Sequence, residues 1–201
     1  MNMATKFQYN KTSLQQLDKQ LKMRERALPT IKNKESALRS EVKKAKQVAE
    51  EFDRKLERTL SGMDDILQLF DEYRENLLLV NDVKMSVRKI AGVKTPLLDR
   101  VDFVLREFSL FNHPAWLLDG IEHVKEVVRI ALEREFYNRK MELLDKARKK
   151  TTQKVNLYEK VQIPGFQEAI RKIKRFLEDE ENLTKSSQKI LKNRQKEEDK
   201  A

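Results

Sequence analysis

The sequence predicts an all-α protein, a long antiparallel two-helix coiled-coil hairpin with a small β-hairpin or irregular insert at its mid-chain end. Three observations predict it. Apolar residues recur at coiled-coil spacing over six heptads from Leu14 to Thr59. That period breaks down between Asn81 and His113, and a second helical stripe of similar length follows. Composition agrees: 38% of the 201 residues are charged and 39% hydrophobic, with four Gly and four Pro. This is too apolar for disorder, too charged for a thick globular core, and close to the profile of long helices.

The first helix spans residues 11–80. Alternating steps of three and four from Leu14 meet Leu17, Leu21, Arg24, Leu28, Ile31, Glu35, Leu38, Val42, Ala45, Ala49, Phe52, Leu56 and Thr59, and eleven of these fourteen positions are apolar. Met63, Ile66, Leu67, Phe70 and Leu77 extend the helical character past Ser61-Gly62, since one Gly costs only about 1 kcal/mol relative to Ala. Arg24 and Glu35 interrupt the seam, where polar residues fix register at a cost in stability. Replacing both by Leu is expected to raise the melting temperature and permit register slippage.

The insert spans residues 81–113. Val83, Met85 and Val87 alternate with polar residues, Gly92 follows, and the run VDFVL after Pro96 has the branched and aromatic content of a strand. SLFNHPAW closes the insert, with Asn112 or His113 placed to cap a helix and Pro114 in its first turn. Trp116, between Pro114 and Leu117, reads as packing of this knob, with a partner contact as the alternative.

The second helix spans residues 114–196. Ile121, Val124, Val128 and Ala131 form its first stripe, Met141, Leu144, Val155 and Tyr158 continue it, and Phe166, Ile170, Ile173 and Leu177 end it. Pro164-Gly165 would ordinarily stop a helix. Because the stripe resumes beyond it, the pair reads as a bend inside one long helix. Each narrow stripe must be buried against something, and the chain can bury both by folding back near residue 96 or 97 as a single structural unit. Pro29 and Pro164 then lie at about the same height, and the two chain ends meet. After Leu177 the seam positions become Glu180, Thr184 and Ser187, so the last turns need a partner or fray.

Charge is divided unevenly. Residues 1–50 hold 12 Lys/Arg against 5 Asp/Glu, residues 51–150 hold 19 against 19, and residues 171–201 hold 10 against 7. The excess of the +10 net charge therefore sits toward the two ends. A solvated face, a nucleic-acid-binding arm and a contact with an acidic protein surface are all compatible with this, although aromatics do not interleave with the basic residues as base stacking requires.

No catalytic constellation stands out. The chain has no Cys, hence no disulfide or thiolate zinc site, and no GxxxxGK[ST] phosphate loop. His113 and His123 are ten apart, a spacing that does not place two ligands on one helical face, and Asp64-Asp65 point to different faces. No signal peptide or membrane-spanning run is expected, and a cytosolic compartment follows by default.

KVNLYEKVQIPGFQEAIRKIKRFLEDEEN, through Val155, Asn156, Glu159, Ile163, Pro164, Ile170, Ile173, Leu177 and Glu178, resembles the D subunit of V-type and A-type ATP synthases. LKMRERALPTIKNKESAL is similar to the same family through Leu21, Lys22, Arg26, Ile31, Lys32, Lys34, Ala37 and Leu38, as is AGVKTP in the middle. Arg26-Ala27-Leu28 departs from the family's Arg-Gly-His. The resemblance implies a rotor shaft without catalytic residues, metal or cofactor of its own, coupling ATP synthesis or hydrolysis to proton or sodium translocation on the cytoplasmic side of a membrane. It implies as partners the A and B subunits of the hexamer, the small F subunit on the shaft's side and the C/d coupling subunit on the membrane side, with no membrane insertion and no nucleic acid. A basic coiled-coil arm for nucleic acid is the rival, and a cytosolic tether or chaperone-like hairpin the next. On this reading Lys11, Lys19, Lys22, Arg26, Lys32, Lys34, Lys185, Lys189 and Lys192 seat the tip in the hexamer bore. Val83, Met85, Val87, Phe103, Phe111 and Trp116 face the membrane-side partner, and Pro29, Pro164 and Gly165 shape the helices.

Overall fold

The computed structural model describes residues 7–63, 77–108 and 114–198. Its elements in chain order are helix α1 (Lys11–Ser61), strands β1 (Leu78–Ile90) and β2 (Val93–Leu105), helix α2 (Leu117–Leu157), a π-helical turn (Tyr158–Gln162) and helix α3 (Ile163–Glu198). The chain divides into two compact units where sequence suggests one. Residues 1–33 and 151–201 form the first unit, and residues 34–150 the second.

The seam of α1 is where its spacing places it. All fourteen positions from Leu14 to Thr59 are buried or half-buried, and Leu38 is fully so. The helix opens on Asn10, whose Oδ1 accepts the Ser13 amide at 2.7 Å and satisfies a first-turn donor. It closes at Ser61, short of residue 80. Gly62 and Met63 donate to the Arg58 and Leu60 carbonyls in a terminal turn, because Ser-Gly has too little helix propensity to continue without tertiary support. Ile66, Leu67, Phe70 and the Asp64-Asp65 pair lie outside the described residues.

In the first unit Leu17 packs with Phe166, Ala169, Ile170 and Ile173, flanked by Phe7, Leu14, Leu21 and Leu177. Numbers that rise along α1 fall along its partner: Arg24 meets Gln162, and Lys32 meets Glu159. In the second unit Leu38, Ala45 and Leu144 form one core, and Leu77, Leu117 and Ile121 another. There Phe52 stacks on Tyr137 at 5.5 Å, and Arg134 pairs with Asp53. Each unit is thus an antiparallel helix pair around a narrow apolar seam.

β1 and β2 form a two-stranded antiparallel hairpin within the second unit. Leu78–Val80, assigned to the helix by spacing, pair instead with Phe103–Leu105, since a short apolar run fits helix or strand and pairing decides. The Arg106 amide extends this ladder to the Leu77 carbonyl at 2.9 Å. The hairpin turns at Ala91-Gly92 with φ of 48° and 82°, the positive-φ pattern of a two-residue type I′ turn. Ala is disfavoured at positive φ, but here its methyl joins Ile90 and Val93 against the Leu38, Ala45 and Leu144 core. Thr95, the one buried polar residue described, donates its hydroxyl to the Arg88 carbonyl at 3.0 Å. The hairpin turn therefore packs against the α1/α2 pair.

Pro114 to Trp116 form a turn into α2: the Leu117 amide reaches the Pro114 carbonyl and the Gly120 amide that of Trp116. Helix α2 accordingly starts at Leu117, and the proposed caps Asn112 and His113 lie outside the described residues.

No loop interrupts the chain at Pro164-Gly165, and the irregularity sits one turn earlier. Proline lacks an N–H and its ring crowds the carbonyl four residues back, so the defect falls on the preceding turn. The Ile163 amide reaches back five residues to the Tyr158 carbonyl, opening that turn. This also corrects the seam. Heptad steps from Thr151 through Val155, Tyr158 and Gln162 would next reach Gly165, Ala169, Lys172 and Phe176. The core residues are Phe166, Ala169, Ile170 and Ile173 with Leu177 beside them, whereas Lys172 and Phe176 are exposed. The stripe is late by one residue, and the π-turn accommodates one extra residue.

Deleting Val161, together with Pro164→Ala to remove the ring clash, should leave a continuous α-helix with the seam in phase. Its melting temperature is expected to fall by no more than roughly 3–6 °C, the loss of side-chain contacts made at the π-turn. Deleting exposed Gln167 in the same background rotates Ala169, Ile170 and Ile173 away from α1 and should cost several kcal/mol, about 10 °C or more by circular dichroism.

Candidate partner-docking surfaces

The cations expected at the chain ends occupy two settings. Lys11, Lys19, Lys22, Arg26 and Lys32 on α1, and Lys185, Lys189 and Lys192 on α3, belong to the first unit and are exposed. Lys34 belongs to the second unit, with its Nζ 3.5 Å from where a Cβ on Gly92 would stand, so it flanks the hairpin turn. Three of the nine are in ion pairs of 2.7 Å: Lys22 with Asp18, Lys32 with Glu159 and Lys185 with Glu181. The Lys185 hydrogen bond and charge, with a smaller contribution from Lys11, hold the Glu181 carboxyl below its ordinary value. Lys19, Arg26, Lys189 and Lys192 form no ion pair among the described residues.

Beyond Leu177 every residue of α3 through Lys196 is exposed. Leu183, Ile190 and Leu191 are 70%, 56% and 59% accessible. Positions 183, 190 and 191 share one helical face, an apolar strip among cations that the seam spacing does not pick out. Steps of seven from Leu183 do reach it. At the start of α1, Phe7 and Tyr9 meet edge to face at 5.4 Å, and Tyr9 lies 4.9 Å from Phe176. These aromatics carry no sequence signal either, because two isolated rings have no period.

Arg24 joins α1 to the returning helix. Its Nε–H donates to Gln162 Oε1 at 2.7 Å, and an Nη donates to the Gln20 carbonyl at 3.1 Å. Its guanidinium lies 4.5 Å from the Phe166 ring centroid and 6.0 Å from that of Tyr158. It therefore grips the π-turn from both ends, while Lys32 holds Glu159 on its outer side. Of the other two polar seam residues, Glu35 pairs with Arg39 on its own helix at 2.8 Å, and the Thr59 hydroxyl donates to the Lys55 carbonyl at 2.9 Å.

The knob residues separate as well. Trp116 packs against the Leu77, Leu117 and Ile121 core, and Phe103 lies under Arg129 at 5.3 Å. Val83 is half-buried, whereas Met85 and Val87 are 61% and 65% accessible. Phe111 lies outside the described residues. At the hairpin base, partial burial draws the Asp102 carboxyl upward, but hydrogen bonds from Lys84 and Arg100 outweigh it and leave the group below its ordinary value. Burial alone raises Glu133 on α2.

Among the described residues no cluster of three or more His, Cys, Asp or Glu could hold a metal, and no helix is long and apolar enough to cross a membrane. What this surface offers is charge and apolar strips on paired helices. Residues 13–193 match the family of the ATP synthase D subunit. The chain belongs to that family. It is 30% identical to the D subunit of the V-type ATP synthase of Borreliella burgdorferi over 190 residues, covering 94% of each chain. To the D subunit of the V-type ATP synthase of Chlamydia trachomatis serovar L2 it is 31% identical over 182 residues, covering 88% of this chain and 90% of the relative. In this member of the D-subunit family, Arg24 and the π-turn hold the helix pair in register.

Arg24→Lys keeps the charge but loses the planar fork that both donates to Gln162 and stacks on Phe166. It should cost about 1–2 kcal/mol, roughly 3–6 °C in melting temperature. Amide exchange should accelerate at residues 158–166 and stay unchanged at residues 38–56.

Proposed function

We propose that this chain is the central shaft of a rotary V-type ATP synthase or ATPase, coupling ATP synthesis or hydrolysis in a hexamer of A and B subunits to proton or sodium translocation. One observation carries the reading beyond family membership: each unit is a helix pair closed by one chain, and the unit holding both chain ends presents exposed cations that form no ion pair among the described residues, together with an exposed apolar strip on α3. Transmitting torque needs paired helices that do not separate into different chains, and continuity of the polypeptide supplies that. The chain end is the part that enters the hexamer. There Lys19, Arg26, Lys189 and Lys192 supply attraction without one locked geometry, since exposed charge acts through a screened field. Leu183, Ile190 and Leu191 supply the apolar contact.

The shaft contributes no catalytic residue and no cofactor, and its work is mechanical. Its side receives the small F subunit and its membrane-facing end the C/d coupling subunit, placing the protein in a peripheral complex on the cytoplasmic side. Val83, Met85, Val87, Phe103 and Trp116 serve those contacts, and the sequence suggests the same role for Phe111.

The test is reconstitution with the hexamer. Changing Lys19, Arg26, Lys189 and Lys192 to Gln should lower hexamer affinity roughly tenfold, about 1.4 kcal/mol, and reduce ATP-driven rotation. The isolated chain should melt as before. Changing Leu183, Ile190 and Leu191 to Ser should act in the same direction. Undiminished coupling in both variants, or failure of the parent chain to assemble with the hexamer, would refute the shaft assignment.

A further inference from the structure

We infer that the outer face of the β1/β2 hairpin is a docking surface for an acidic protein segment with an apolar stripe, carried by a neighbouring protein of the same assembly. This deepens the shaft reading and rests on it. Residues paired across an antiparallel ladder share a face. Arg88 with Thr95 and Ile90 with Val93 belong to the inner face, whose Thr95 is 1% accessible and whose Ile90 and Val93 join the Leu38 core. Met85 with Leu98, Val87 with Pro96 and Lys89 with Lys94 belong to the other. That face is a block of four apolar side chains ending in two lysines, and Met85 and Val87 at its centre are more than 60% accessible.

The charges say what covers it. At the hairpin base, Lys84 and Arg100 both pair with Asp102. At the turn, Lys89 and Lys94 stand directly opposite each other, and Lys34 approaches Gly92 from α1. None of these three has an ion-pair partner among the described residues. Like charges directly across a ladder oppose hairpin formation, so this pair works against the fold it sits in. A carboxylate arriving from outside would relieve that repulsion, and an apolar stripe beside it would cover Met85 and Val87. The complementary ligand is therefore acidic and apolar on one face. Nucleic acid fits poorly because no aromatic ring stands on this part of the face to stack a base. A lipid surface fits poorly because the block lacks the aromatic anchors of an interfacial site.

The experiment places a benzophenone side chain at position 87 of the full-length protein, assembles it with the other subunits of the ATPase, and maps the photo-cross-linked peptide. The expected product is one partner segment with more carboxylates than cations. Lys89→Glu with Lys94→Glu should lower its yield at least tenfold at equal assembly by native mass, while Lys89→Arg with Lys94→Arg preserves it. Two probes are run on the isolated chain: vesicles of phosphatidylglycerol and phosphatidylcholine, and single-stranded RNA. Binding of either that is lost in the double Glu variant would overturn the proposal, as would a neutral or basic cross-linked segment or a yield indifferent to the charge reversal. Assembly without any cross-link overturns this proposal alone. A parent chain that does not assemble overturns the shaft reading, and this one with it.

Discussion

A two-helix seam in phase is the constraint on which this structure depends. Each helix has one narrow apolar stripe and little else to bury, so a turn that rotates the stripe away from its partner forfeits the burial of every residue beyond it. Leu17 and Leu38 on α1, and Ile173 and Leu144 on the returning helices, are buried because that phase is kept within each unit. The sequence beyond Gln162 is offset by one residue, and without compensation Lys172 and Phe176 would turn inward in place of Ile173 and Leu177. The π-turn removes the conflict where Pro164 already forbids the ordinary hydrogen bond. Proline and frameshift fall together, so one local defect serves both.

Arg24 follows from the same constraint. An arginine on an apolar seam must find hydrogen bonds and a flat surface or unfold the seam around it. The π-turn brings Gln162 and the rings of Tyr158 and Phe166 within reach. The residue that looks most out of place in the stripe is thus the one that ties α1 to the irregular turn. Thr59, whose hydroxyl donates to the Lys55 carbonyl within α1, shows that polar seam residues are not equivalent.

Much of this was legible in the sequence, and the failures have physical causes. The seam of α1 was readable residue by residue because a period sustained over six heptads leaves few alternatives. The hairpin was readable from the alternation of Val83, Met85 and Val87, the Gly92 that follows, and the VDFVL run beyond Pro96. Its start at Leu78 was not, because a leucine run fits either structure until Phe103 to Leu105 pair with it. The division into two units was not, because it reflects long-range contacts. The proline defect was expected at Pro164 but appears at Tyr158–Gln162, since the missing bond is felt at the carbonyl behind the ring. The frameshift was present in the numbers, as the step from Tyr158 through Gln162 to Phe166 and Ile170. A single off-phase step is easily absorbed into an expectation of continuous heptads.

The charges obey a division that composition could not show. Some cations have acids beside them: Lys32 with Glu159, Arg134 with Asp53, and Lys84 and Arg100 with Asp102. Lys19, Arg26, Lys189 and Lys192 on the first unit, and Lys34, Lys89 and Lys94 on the second, have none among the described residues. Exposed pairs contribute little to stability, and exposed unpaired charges contribute less, so neither group is retained for folding. Lys189 and Lys192 share the exposed turns of α3 with Leu183, Ile190 and Leu191, and Lys89 and Lys94 share a hairpin face with Met85 and Val87. Charge alone is common on helical surfaces, and isolated apolar exposure is common too. Their coincidence at the chain ends and on the hairpin is what supports our proposal that these two surfaces meet the rest of an assembly.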